Sequence, residues 1–182
     1  MNILRPDYIG FVIGCPSSPR SVSMEMAERL SSEVDEGIGK IGVFVDMDID
    51  SVAGLLRSGL IDMAQLHGSE DDLYIRRIQD MTGRKVIKSF PAPRKDEALG
   101  CHADMILFDG ACPGSGIGYD YSSLIGFPRP FFVAGGLSPE NVADVIAILH
   151  PFAVDVSSSV ESMGAKDYEK AERFIREARR IV

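Results

Sequence analysis

Short apolar runs alternate with amphipathic stretches from one end of the chain to the other. Runs at 8–13, 40–45, 63–66, 85–89, 105–108, 131–134 and 153–156 read as strands. Several, such as Met105-Ile106-Leu107-Phe108, are apolar throughout instead of alternating, the pattern of parallel strands covered on both faces. Helix signals lie between them. Ser23 precedes the amphipathic run 24–30 as an N-cap, and Asp50 precedes a second run at 51–56. Ser69 precedes the acidic turn Glu70-Asp71-Asp72, which suits the positive end of a helix dipole. Ser138-Pro139 places proline at a first helical position. The segment 167–182 reads as a final helix with Phe174, Ile175, Ala178 and Ile181 on one face. The recurring unit is strand, loop, helix, at a spacing of roughly 24 residues, which predicts an α/β fold with a parallel sheet. No Ser/Gly-rich linker or charge block interrupts the pattern, so one domain over 1–182 is expected. A closed or partly closed barrel and an open doubly wound sheet both fit it.

Composition narrows the function classes. The net charge of −8 argues against a nucleic-acid surface, which needs concentrated Lys and Arg. No apolar run approaches a membrane span, and Met1-Asn2-Ile3-Leu4-Arg5-Pro6-Asp7 does not have the layout of a secretory signal. Cys15, Cys101 and Cys112 form an odd, sparse set without metal-ligand spacing, as expected of reduced thiols in a cytoplasmic enzyme. No Gly-x-Gly-x-x-Gly follows the first strand. The nearest approach, Gly114-Ser115-Gly116-Ile117-Gly118, comes late, which argues against a dinucleotide site.

In parallel α/β folds the chemistry sits just past the carboxyl ends of the strands. Those positions hold Cys15 and Arg20, Asp46, Gln65-Leu66-His67-Gly68, Asp109-Gly110, Gly135-Gly136 and Ser157-Ser158-Ser159. Gly135-Gly136 and Ser157-Ser158 can present backbone N–H groups to a phosphate; a tight turn is the other use of the glycine pair. Asp109, beside the apolar run 105–108, is a candidate general acid, or a turn residue. Arg20 has the fork that fits a carboxylate, or is a solvated loop residue. His67 is a candidate base or hydrogen-bonding group, or a structural histidine. Cys15 is a candidate thiolate near Arg20, or a packing residue.

Taken together in order, Ile9-Gly10-Phe11-Val12 with Ser18-Pro19-Arg20, Gly42-Val43-Phe44-Val45, Gln65-Leu66-His67-Gly68-Ser69-Glu70, Ala134-Gly135-Gly136-Leu137 with Glu140-Asn141-Val142, and Asp155-Val156-Ser157-Ser158 with Glu161 resemble phosphoribosylanthranilate isomerase, the (β/α)₈ enzyme of tryptophan biosynthesis. The resemblance implies an Amadori rearrangement of N-(5-phosphoribosyl)anthranilate to 1-(2-carboxyphenylamino)-1-deoxyribulose 5-phosphate. It assigns Asp109 as general acid, Arg20 and His67 to the substrate, with Arg20 near the anthranilate carboxylate, and Gly135, Gly136, Ser157 and Ser158 to the phosphate. It implies a phosphorylated small-molecule substrate and no metal or organic cofactor.

The match is in register from the family's second strand. The expected architecture is therefore an incomplete TIM-barrel-like parallel (β/α) barrel of about seven strands, with the first βα unit missing. That unit carries the family's general-base cysteine, so this chain is expected to retain phosphate affinity with impaired isomerase activity, a positioned base being worth on the order of 10²–10⁴ in rate. Cys15 is the one candidate substitute. Two other departures are Ser159 at a usual glycine and Pro113-Gly114-Ser115-Gly116 for Gly-Gly-Thr-Gly. The rival expectations are a non-catalytic incomplete barrel held together as a homodimer through open strand edges, and another phosphate-sugar isomerase or epimerase barrel.

Overall fold

In a computed structural model, residues 1–110 and 119–181 are described. Cys112 and the glycine segment 113–118 lie outside them. The chain forms two compact units, one of Met1–Ser89 with Cys101–Asp104, the other of Phe90–Gly100 with Met105–Val182.

The first unit alternates strand and helix: β1 (Tyr8–Val12), α1 (Met24–Ser32), β2 (Gly39–Phe44), α2 (Ile49–Ser58), β3 (Met63–Leu66) and α3 (Asp72–Thr82). It ends within β4 (Val86–Pro91). All its neighbouring strands pair in parallel, with Phe44 beside Leu66 and Leu66 beside Lys88. The four residues of β3 are all buried, which is why their sequence does not alternate. Phe44, Leu56, Ile61, Leu66, Ile75, Ile78 and Ile87 are fully enclosed and form the core.

The second unit contains α4 (Lys95–Gly100), β5 (Met105–Asp109), β6 (Phe131–Val133), α5 (Val142–Leu149) and β7 (Ala153–Val154). A small antiparallel pair, β8 (Glu161–Ser162) and β9 (Ala165–Lys166), precedes α6 (Tyr168–Arg179). Strands β5, β6 and β7 are parallel, with Phe108, Val133 and Val154 abreast. Phe108, Phe127 and Phe131 meet edge to face, with ring centroids 4.9, 5.7 and 6.0 Å apart; this geometry suits the ring quadrupoles.

The parallel α/β class expected from the apolar runs is the observed one. The helix starts differ in detail. Ser23 does cap α1, accepting from the Met26 N–H at 3.2 Å. The second and third helices are instead capped by Asp48, from Ser51 N–H at 2.9 Å, and Asp71, from Tyr74 N–H at 2.8 Å. Asp50 thus lies inside the first turn and Ser69 belongs to the preceding loop. Pro139 lies in a turn ahead of α5, whose first residue is Val142. Asn141 makes that turn by accepting from Ser138 N–H at 2.8 Å and donating to Gly136 O at 2.9 Å. Among the described residues no helix is long and apolar enough to cross a membrane.

Leu56, enclosed on α2, sets the scale of the packing. Leu56→Ala is expected to cost about 2–5 kcal/mol, read as a lowered midpoint in urea at unchanged slope.

Candidate active site

Each unit gathers polar groups at the carboxyl-terminal edge of its own strands, because parallel strands in register end side by side. In the first unit the loop after β1 turns at Gly14, whose φ is +64°. Cys15 is buried there; its N–H donates to Ser21 Oγ at 2.9 Å, and its sulfur lies 3.3 Å from Ser17 Oγ. Arg20 follows, half-buried, its backbone N–H donating to Ser18 Oγ at 3.3 Å.

His67 continues the β3 ladder, its N–H donating to Phe44 O at 2.8 Å. Its ring is half-buried, with Nε2 lying 2.6 Å from Gln65 Nε2. Burial, reinforced by the Lys88 charge and opposed by Glu70, lowers its pKa to about 4. A ring held neutral at ordinary pH is suited to hydrogen bonding with a ligand, and is a weak base.

Behind His67 lies a polar network absent from the sequence reading. Lys88, only 6% exposed, donates from Nζ to Gly68 O at 2.7 Å and to Glu70 Oε2 at 2.8 Å. Glu70 Oε1 accepts the Asp46 N–H at 2.7 Å. Asp46 Oδ1 in turn accepts from Ser69 N–H at 2.6 Å and Ser69 Oγ at 2.8 Å, and these bonds hold the Asp46 carboxyl below the usual range. Asp46 adopts φ +50°, a left-handed conformation that Asp tolerates better than most residues. A Cβ on Gly68 would collide with Asp46, including its backbone N at 2.7 Å. Only glycine lets the two strand ends approach this closely.

In the second unit Asp109 ends β5, 6% exposed, with Oδ1 accepting the Gly110 N–H at 2.7 Å. Gly135, at φ +79°, faces it. A Cβ there would stand 2.5 Å from Gly110 N and 2.6 Å from Asp109 Oδ1. Gly136 is also left-handed, at φ +71°. Tyr121 donates its hydroxyl to Gly135 O at 2.5 Å. Burial and then the neighbouring Asp109 raise the Tyr121 pKa, so this donor stays protonated.

The segment after β7 is fastened to the glycine loop. Ser159 Oγ donates to Leu137 O at 2.5 Å, and Lys166 Nζ donates to Ser157 O at 2.9 Å and Glu161 Oε1 at 2.8 Å. Ser159, at the position where a glycine was expected, is not among the residues with positive φ. It serves instead as a tether. Asp155, abreast of Ala134 and Asp109, is half-buried. Desolvation and then the Asp109 charge raise its pKa, against Lys166 and the Val156 N–H.

The structure thus brings Asp109 against Gly135 and links the loops of Gly136 and Ser157. It places Arg20, His67 and Cys15 on the first unit's edge. A lysine inside a short strand reads as a solvent-facing alternation, which conceals Lys88. The signal is its place directly after Val86 and Ile87, both wholly enclosed.

The model of N-(5'-phosphoribosyl)anthranilate (PRA) isomerase matches residues 5–177. The chain belongs to the PRA isomerase family. It is 38% identical to N-(5'-phosphoribosyl)anthranilate isomerase of Endomicrobium trichonymphae, over 93% of this chain and 86% of that one. Phosphoribosyl anthranilate isomerase of Thermotoga maritima superposes with a TM-score of 0.88 at 32% identity, over 97% of this chain and 90% of that one. A PRA isomerase solved in complex with reduced 1-(o-carboxyphenylamino)-1-deoxyribulose 5-phosphate superposes with a TM-score of 0.84, also at 32% identity, over 97% and 89% of the two chains. The TIM-barrel-like parallel α/β fold, the isomerase class and tryptophan biosynthesis expected from the motifs are those of this PRA isomerase family.

Two outcomes follow from the second unit. Gly135→Ala meets backbone and forces an L-residue to φ +79°; it is expected to destabilise by more than about 1 kcal/mol, read by thermal melting. The raised Asp155 carboxyl stabilises the fold when protonated, and that contribution is lost as pH rises through its folded pKa. Asp155→Asn is therefore expected to raise Tm at pH 7, with the gain shrinking as pH falls from the folded pKa toward the ordinary carboxylate range and gone below it.

Proposed function

We propose that this PRA isomerase family member carries out the Amadori rearrangement through Asp109 as general acid, with the phosphate held by Gly135, Gly136, Ser157 and Ser158. The observation that carries the proposal is the placement of Asp109. It is a carboxyl enclosed at the end of β5, directly against a loop of two left-handed glycines. Barrel enzymes commonly hold phosphate in loops of this kind after their last strands, where backbone N–H groups converge. The Ser159 and Lys166 tethers pre-organise the second of the two loops.

On this proposal Asp109 delivers its proton to the ribose ring oxygen. The bond from that oxygen to the anomeric carbon breaks, leaving an imine to the anthranilate nitrogen. A water molecule then takes the proton on the adjacent carbon, giving an enol that becomes the ketone as the former anomeric carbon is protonated; no side chain is assigned as that base, and turnover is expected to be impaired accordingly. Arg20 supplies a fork for the anthranilate carboxylate. His67, neutral above pH 4 or so, hydrogen-bonds the substrate without taking a full charge. Cys15, enclosed with its sulfur beside Ser17, is given a packing role and not that of a base. A homodimeric assembly and a cytoplasmic location belong to the same proposal.

Calorimetric titration with reduced 1-(o-carboxyphenylamino)-1-deoxyribulose 5-phosphate is expected to show saturable binding; no binding overturns the proposal. Asp109→Asn is expected to keep that affinity while turnover of phosphoribosylanthranilate, followed by its fluorescence, falls on the order of 10²–10⁴-fold. Turnover unchanged in Asp109→Asn removes the acid assignment.

A further inference from the structure

We infer that Lys88 and Glu70 form a buried positioning pair for His67, holding the loop that carries it from the opposite face of the sheet. The inference deepens the function proposed above and rests on it for His67's contact with substrate.

The faces follow from strand register. Lys88 is abreast of Leu66, and Leu66 of Phe44, so these three side chains share one face. Gln65 and His67 alternate with Leu66 and lie on the other. Phe44 and Leu66 are wholly enclosed, and Ile61 packs on the same side, close to where a Cβ on Gly42 would stand. The Lys88 ammonium therefore arises among apolar side chains behind the loop. It ends on Gly68 O and Glu70 Oε2. It acts on the ligand side through the backbone that His67 shares with Gly68.

The bonds form a closed circuit over three strand ends. Lys88 of β4 holds Gly68 and Glu70, which follow β3. Glu70 holds the Asp46 N–H, which follows β2, and Asp46 holds Ser69 between them. The ion pair has side-chain exposures of 8% and 2%, and every contact is 2.8 Å or shorter. Enclosing two charges costs several kcal/mol per ion before their attraction offsets it, and apolar replacements of similar volume are often neutral or stabilising. Stability alone therefore does not account for this pair. Geometry does: it makes a charge-assisted bond to the carbonyl next to His67 and sets the angle at which the chain leaves β3.

The charged groups bearing on the imidazole are Lys88 from β4 and Glu70 from the loop into α3, with Lys88 the stronger. From the end of β2, Asp46 is engaged by Ser69. Removing both members of the pair while leaving burial unchanged should move the His67 titration upward from about 4 toward its ordinary 6.5.

The test uses Lys88→Met/Glu70→Leu, and Lys88→Met/Glu70→Gln as a milder variant in which the amide oxygen can still accept the Asp46 N–H. In each, the His67 ring is followed by NMR across pH 3.5 to 7.5, and kcat and KM are measured separately. Both variants are expected to melt near wild type, to lose on the order of 10–100-fold in kcat/KM, as displaced catalytic geometry does, and to show the His67 pKa raised. Loss of the Lys88 charge moves the titration by itself, so positioning is read from kcat/KM of the folded protein, which a structural role alone would leave unmoved while lowering Tm. Unchanged kcat/KM in a folded variant overturns the inference. If wild type fails to bind the reduced ligand, the proposed function falls, and the ring placement of His67, read from its NMR contacts with Gln65 in the variants, decides whether the pair positions it.

Discussion

Everything at the working edges depends on parallel strands being held in register. In the first unit Phe44, Leu66 and Lys88 stand abreast, so the next residues of β2 and β3 emerge together. In the second, Phe108, Val133 and Val154 do the same, and Asp109, Ala134 and Asp155 follow in one row. The apolar interior of the strands supplies the cohesion. A one-residue slip would invert every side chain, exchanging the enclosed Leu66 for Gln65 and moving Asp109 off its row. Registry thus couples the hydrophobic core to the chemistry, and the carboxyl and glycine groups inherit their positions from it.

The two units finish their edges by different means. In the first, the strand ends are closed by a circuit of charge-assisted bonds from Asp46 to Lys88. In the second, close backbone approach dominates: Gly135 lies against Asp109 and Gly110, and tethers from Tyr121, Ser159 and Lys166 end on main-chain carbonyls. Charges fix a loop from behind in one case; carbonyl acceptors fix it along its length in the other. Both arrangements leave few torsions free, which favours precise placement of the groups on each edge.

Much of this could be read in the amino-acid order. Strand β5 is a continuous apolar run up to Asp109, as burial on both faces favours. Asp109, Gly135 and Gly136 stood out because each follows such a run. Helix starts were less legible. Asp48, Asp50, Ser69 and Asp71 are all competent caps, and which one serves depends on where the chain leaves the strand. Lys88 and the left-handed backbone of Asp46 were hidden for a related reason. Both exist only because Glu70 and Ser69 come back to meet them, and no local pattern announces a bond across 18 to 24 residues.

Gly68 and Gly135 are alike in what opposes them. At each, an added carbon would meet main-chain nitrogen, of Asp46 in one case and Gly110 in the other. A flexible side chain can swing aside for a newcomer, whereas a peptide unit in a paired strand end cannot. Compensating substitutions elsewhere therefore have nothing to act upon. For a drifting lineage these are fixed points: one missing methyl at each sets the boundary of the sequences that still assemble the edge.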